Sequence, residues 1–439
     1  MRLAAGAFIA GAGSRLLPVS IPFRFFGAAV AFHLLAWIAL FAGGDEAPRF
    51  AGGLGWPLAA LHLFTLGVLV MTAIGASLQL LPVATRRQVG SEHWPAAIWW
   101  FYTPGVAMTA FGMGVGATSV LAAGAAAVIV ALAAYAVLLA RNLAGAKGMP
   151  IIVAHGWAAL ASLFVVIATA LALAGTYAGT PTIDRTTAIA LHATFAAYGF
   201  MGMLAFGLSY ILVPMFALAA VPDPRQGWAS FALAVLALVL AAAAALDFAP
   251  ALLRTAAVAA GLAAVALHLR LMTIALKTGM RRHLGRSFAL VRVGWGFLVA
   301  SLVLAPAVAI DASFDRVATL FGFALIGGWL LTFLLGILQR IVPFLASMHA
   351  GQVGTRGRGL PPTPSALTAE RPLAIHFACH LAALALLAIA IAADSALAVR
   401  AAAAAGAAGA LAFGAFFATV LRRMRRPKPP AGAGTMPAS

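Results

Sequence analysis

The sequence predicts an all-α polytopic membrane protein, with twelve transmembrane helices in three pseudo-symmetric four-helix units. Three observations carry that expectation. The 439 residues are 64% hydrophobic and 9% charged, with a mean hydropathy of +1.04, far too little charge to clothe a soluble domain of this size. The apolar residues fall into twelve runs close to the ~20 residues that one bilayer crossing needs. A glycine–glycine–proline ladder is written three times, as Gly67, Gly75 and Pro82, as Gly199, Gly207 and Pro214, and as Gly328, Gly336 and Pro343.

The twelve runs lie at about 23–43, 56–83, 94–115, 118–141, 150–176, 187–218, 227–247, 249–275, 288–310, 317–346, 373–393 and 396–421. The first ladder glycines are 132 and then 129 residues apart, so the chain divides into units at about 23–141, 150–275 and 288–421, with the ladder run second in each. Wound as an α-helix, glycines eight apart lie roughly 80° from each other, a broad face against which another helix can pack closely. The late proline removes a backbone hydrogen bond and kinks the end of the run. Three helices built alike predict a pseudo-threefold bundle with these helices innermost.

Outside the 23–421 membrane domain, residues 1–22 form an N-terminal segment and 427–439 a disordered tail, while a Gly/Pro/Arg-rich loop occupies 347–371. No cleavable leader precedes the first run, which is expected to act as its own insertion signal. Arginines and lysines crowd one set of loops, including Arg86, Arg87, Lys147, Arg281, Arg282, Arg422 and Arg423. The acids Asp45, Glu46, Asp184, Asp247, Asp311, Asp315 and Asp394 fall on the other side. That asymmetry places both termini in the cytoplasm. The net charge of +18 is thereby a topology signal suited to lipid headgroups, and nucleic acid is not expected as a partner. The single cysteine, Cys379, excludes an internal disulfide and cysteine-rich metal motifs.

Acidic residues are nearly absent from the runs, as are nucleotide-binding loops and hydrolase motifs. Histidine is left as the chemistry-bearing residue. His62 and His192 stand five and seven residues before the first ladder glycine of their units, at similar depth and facing the centre, and imidazole suits heme iron or copper. His376 and His380 are an i, i+4 pair near the cytoplasmic end of the eleventh run, a spacing that can chelate a metal. His155 begins the fifth run at similar depth and joins them as a second candidate set, with His268 late in the eighth. His33, midway along the first run, reads as a satisfied contact between helices, and His349 as a loop or helix-end residue. Gln79, Tyr210 and Gln339 fall three or four residues after the second ladder glycine and read as partners for the carbonyl that the proline frees. Arg340 is expected to snorkel to the interface.

Twelve runs, cytoplasmic termini, three four-helix units and histidines early in runs two and six resemble subunit I of the heme–copper oxidases, and more closely the oxidase-like NnrS-type bacterial membrane proteins. In sequence the likeness is confined to the ladder runs, HLFTLGVLVMTAIG, LHATFAAYGFMGMLAFGLSYILVPMF and LFGFALIGGWLLTFLLGILQRIVPFL. The resemblance implies that His62 matches a low-spin heme ligand and His192 a copper ligand. Phe321 and Phe323 stand where the tenth-run histidines would be, and the seventh run has none. A complete oxygen-reducing centre is therefore not expected.

The resulting expectation is a bacterial inner-membrane protein that binds heme b and/or copper through His62 and His192. Its role would lie in redox chemistry, nitric-oxide stress or cofactor handling, in the lipid bilayer and beside other respiratory or membrane subunits. The alternatives are a transporter with its path between the repeats, and a metal-free scaffold subunit of a respiratory complex.

Overall fold

The computed structural model describes residues 17–87, 91–309, 316–354 and 362–425. The predicted tail lies outside them. Among the described residues the chain is helical, with no strand. The long helices, labelled here in chain order, are α1 (Ser20–Ala42), α2 (Trp56–Thr85), α3 (His93–Val115), α4 (Thr118–Ala144), α5 (Pro150–Tyr177) and α6 (Arg185–Ala217). They continue as α7 (Pro224–Ala245), α8 (Pro250–Thr278), α9 (Gly285–Ala309), α10 (317–354), α11 (Glu370–Ala393) and α12 (Ala396–Arg425). Eleven are long and apolar enough to cross a membrane. The helix that falls outside that group is α3, whose 23 residues carry tryptophans, a tyrosine and two prolines among the apolar side chains.

The third ladder helix runs on to Gly354, well past the expected end at 346. His349 is therefore a buried helical residue and not part of a loop. Of the predicted 347–371 loop, 355–361 lies outside the described residues, and Pro364–Leu367 forms one helical turn.

The ladder helices α2, α6 and α10 are the interior of the bundle. Their most apolar stretches are 72, 83 and 61% buried, against 50% or less for every other helix able to span. Outward-facing side chains such as Trp100, Phe101, Phe164 and Leu252 are large, apolar and exposed, as a lipid-facing surface requires. Around the ladder helices α3 packs along α4, α7 along α8, and α11 along α12. Further along, α4 touches α5, α8 touches α9, and α12 returns to α1. The last junction is also ionic. Arg400 bonds Asp45 at 2.6 Å, and Arg49 pairs with Asp394, tying the loop after α1 to the turn between α11 and α12.

Each ladder helix contains one stretch of wider π winding, at Leu63–Val70, Phe195–Gly202 and Phe323–Leu331. Each stretch contains the first ladder glycine. This changes the expected geometry. A π turn holds more residues than an α turn, so eight residues on the ladder helix keep step with seven on an ordinary neighbour. The first helix of each group shows that step. A methyl group built on Gly67 or Gly75 would meet the Cβ of Phe32 or Phe25 at 2.7 and 2.8 Å. On Gly199 and Gly207 it would meet the Cβ of Ser162 and His155, each at 2.7 Å. On Gly328 it would meet the Phe297 ring at 2.4 Å, and on Gly336 the Ser287 carbonyl at 2.6 Å, with Leu290 and Val291 at 3.1 Å. The contact pairs 25/32 and 155/162 are each seven residues apart, and Phe297 and Leu290 keep the same step. The two glycines of a ladder thus sit in one groove, not on a face 80° wide.

π winding displaces backbone partners, and side chains take some of them up. The Tyr102 hydroxyl donates to the Leu66 carbonyl at 3.0 Å, and the Thr332 hydroxyl to that of Gly327 at 2.7 Å. Beyond the prolines, α2 and α6 end alike. Arg86 and Leu218 adopt left-handed backbone, and the N–H of Arg87 and Ala219 returns to the Pro82 and Pro214 carbonyls at 3.1 and 2.9 Å, a Schellman-type stop.

Candidate functional site

His62 lies immediately before the first π stretch and His192 three residues before the second. Both rings are half-buried, and each lies within electrostatic reach of the other. The His62 Nδ1 is 3.0 Å from the Leu58 carbonyl. A carbonyl only accepts, so Nδ1 carries the proton and Nε2 keeps its lone pair. The His192 Nδ1 is 3.2 Å from Thr169 Oγ1, whose hydroxyl proton is directed to the Val165 carbonyl at 2.7 Å. Here too Nδ1 is the donor. Among the described residues the His62 Nε2 has no hydrogen-bond partner, while the His192 ring also hydrogen-bonds the Val166 backbone.

An imidazole whose one nitrogen is held by a carbonyl or hydroxyl keeps the other able to ligate a metal, and His62 has that form. A single such ring could take a coordination position on copper or heme iron. The two rings do not complete a four-coordinate site. No group of three or more His, Cys, Asp or Glu able to hold a metal ion occurs among the described residues.

No family model matches the chain, and no curated protein matches it either.

The remaining candidate histidines separate into two clusters. His376 and His380 stack 5.6 Å apart on α11, and the third ring beside them is His33 of α1, 6.4 Å from His376. Trp37 Nε1–H donates to His33 Nε2 at 3.1 Å, so the hydrogen bond is made within α1, while the ring itself meets other helices at His376 and Phe64. His376 Nδ1 donates to the Gly409 carbonyl at 3.1 Å. The His380 Nε2 is 2.8 Å from Thr332 Oγ1, whose proton is committed to Gly327, so the ring donates. Cys379 packs toward Gly409.

His155 belongs to the other cluster. Its ring lies 4.8 Å from Phe231 and 5.6 Å from Tyr210, while His268 stacks on Phe206 at 4.0 Å and meets Tyr210 edge-on at 5.4 Å. His155 and His268 are themselves within electrostatic reach. The structure therefore joins His155 to His268 and Tyr210, and His376 and His380 to His33.

Gln79, Tyr210 and Gln339 do not cap the proline-freed carbonyls. The amide nitrogens of both glutamines are buried without a hydrogen-bond partner, and the Tyr210 hydroxyl turns to Ser230. The residues after each proline close two of the helix ends instead. Nor does Arg340 snorkel outward: its Nε donates to Ser287 Oγ at 2.8 Å and its guanidinium also bonds the Leu284 carbonyl, clamping α10 to the start of α9.

Sequence reasoning proposed His62 and His192 from their place in the ladder pattern, and did not single out Thr169, which contacts His192. A threonine in an apolar run has many structural uses, and nothing local marks this one.

Proposed function

We propose that the protein binds copper or a heme in the membrane through His62 and His192, on a degenerate oxidase-like scaffold, and serves redox chemistry, nitric-oxide stress or cofactor handling. The observation that carries the reading is a pair of imidazoles, one on α2 and one on α6, within electrostatic reach of each other. Each ring is anchored through Nδ1, and the His62 Nε2 is left without a partner. When bound, copper or heme iron would supply one-electron chemistry or a site for a small diatomic ligand. The chain's own part is to hold both rings in one tautomer and at one depth between α2 and α6.

The wider architecture belongs to the same proposal. We read the twelve long helices as three four-helix units, each repeating a ladder helix second in order, with both termini in the cytoplasm of a bacterial inner-membrane protein. The three π stretches, the seven-residue contact pairs and the cyclic junctions α4–α5, α8–α9 and α12–α1 support it. Phe323 begins a π stretch and packs edge-on against Phe297 at 5.7 Å. An aromatic ring where an oxidase would place a ligand argues for cofactor binding without oxygen reduction.

The test is an optical spectrum and metal analysis of the full chain purified in detergent. Copper or a heme Soret band that is lost in both His62→Ala and His192→Ala is the expected result. Wild-type protein that takes up neither copper(I) nor hemin, or variants that bind them unchanged, would overturn the proposal. A transporter is the second reading, favoured by the unpartnered amide atoms of Gln79 and Gln339 on two of the ladder helices. It predicts cofactor-free protein that moves a solute across liposomes.

A further inference from the structure

The interior of a bilayer protein offers no bulk water, so each buried polar atom needs a partner within the fold. In the cluster around Tyr210 two ring nitrogens have none: His155 Nε2 and His268 Nδ1. Their residues are 0 and 1% exposed. They come from two helices, α5 and α8, both rings lie against Tyr210 of α6, and a buried polar atom left unmet is costly. Two such atoms converging within one aromatic enclosure indicate an occupant.

The neighbours define its chemistry. The His155 Nδ1 donates to the Ile151 carbonyl at 2.8 Å, which leaves a lone pair at Nε2, the same second-atom anchoring seen at His62. Ser230 donates its hydroxyl to the Ala264 carbonyl at 2.9 Å, and its oxygen accepts from the Tyr210 hydroxyl. Phe206 and Phe231 wall the site, and Gly207 leaves room for His155 to approach α6. Among the described residues no Asp or Glu is buried, so no carboxylate is available to balance a divalent ion. The desolvation cost of an ion rises with the square of its charge. Neutral imidazoles in an apolar box therefore favour a monovalent, nitrogen-seeking ion.

We propose that His155 and His268, with Tyr210 alongside, form a second copper(I) site, separate from His62 and His192. Tyr210 lies eighteen residues beyond His192 on α6, roughly 25 Å at helical rise, so the two sites sit toward opposite ends of that helix and can be loaded independently.

The experiment titrates copper(I) against a chromogenic chelator, anaerobically, with the full chain in detergent. In a His62→Ala/His192→Ala background one copper(I) is expected to bind. Adding His155→Gln or His268→Gln should abolish it, and Tyr210→Phe, which removes only the hydroxyl, should weaken it about tenfold. X-ray absorption should show nitrogen neighbours. A background that binds no copper(I), or binding untouched by all three substitutions, overturns the proposal and leaves a trapped water as the occupant. Equal copper content in wild type and background would instead count against the His62–His192 site alone. Unchanged elution and thermal transitions establish that the variants are folded, and Tyr210→Phe carries the test if the histidine variants are not.

Discussion

The ring of Tyr198 lies stacked on that of Trp329, centroids 5.5 Å apart and planes 28° from parallel. The two residues occupy the π stretches of α6 and α10, so this contact joins two of the most buried helices of the bundle. Tyr198 also donates its hydroxyl to Ser301 Oγ of α9 at 2.9 Å. In a bilayer, helix association depends on packing and polar contacts because lipid is as apolar as the helices themselves. Trp329→Ala should cost about 3 kcal/mol, whereas Tyr198→Phe keeps the stack and loses about 0.6 kcal/mol. Unfolding by denaturing detergent measures both. Equal losses would assign the stabilisation to the hydrogen bond and not to the stack.

The glycine grooves predict opposite signs for one substitution. A methyl group at Gly328 or Gly336 would press into Phe297 or the Ser287 carbonyl, at 2.4 and 2.6 Å. Gly328→Ala and Gly336→Ala should destabilise by about 1–3 kcal/mol. Gly296, on α9, has nothing within 4 Å of its added methyl, and Gly296→Ala should stabilise by up to ~1 kcal/mol. Thermal transitions of the three variants decide the matter. A stabilised Gly336→Ala would remove the groove from the account.

Thr169 orients His192, so its substitution should separate binding from folding. Thr169→Val keeps the shape and removes the oxygen that accepts from His192 Nδ1. On the proposed reading copper or heme affinity falls about 10–100-fold while the melting temperature barely moves. Thr169→Ser restores affinity. A Thr169→Val protein with wild-type affinity would show that His192 is not a ligand, or is positioned by something else.

At the start of α6, Asp184 accepts from the Thr187 N–H at 2.9 Å and from its hydroxyl at 3.2 Å. The Thr187 N–H, with the hydroxyl and neighbouring amides, holds the carboxyl below its ordinary range. A depressed carboxylate value means that capping is fully present above the unfolded-chain value and lost as pH falls through the folded one. Amide exchange at Thr187 should be slower in wild type than in Asp184→Ala at neutral pH, with the difference fading only in acid below the usual carboxylate range. A difference that disappears already near neutral pH would contradict the assignment.

Most of the helix positions were readable because an apolar run of bilayer length has few alternatives. The runs at 56–83 and 187–218 match α2 and α6 to within two residues or so. α3 was read from length alone, and its tryptophans keep it out of the most apolar class. Arg340 and the three polar residues after the second ladder glycine were misread for a common reason. A polar side chain in an apolar run must be answered somewhere, but the run itself does not say by which helix, or whether it is answered at all.

Composition and spacing alone determined that this chain is a polytopic helical protein with one motif written three times, and singled out His62 and His192 within it. The eight-residue glycine spacing was visible too, but not its meaning. π and α winding share the same apolar residues, and only the seven-residue step of the facing helix distinguishes them. Which histidines meet was decided by the tertiary structure. The grouping of His155 with His268, and of His376 and His380 with His33, follows from how α5, α8, α1 and α11 lean on the ladder helices. Helix-to-helix adjacency is set by packing between surfaces far apart in the chain, and no local pattern encodes it.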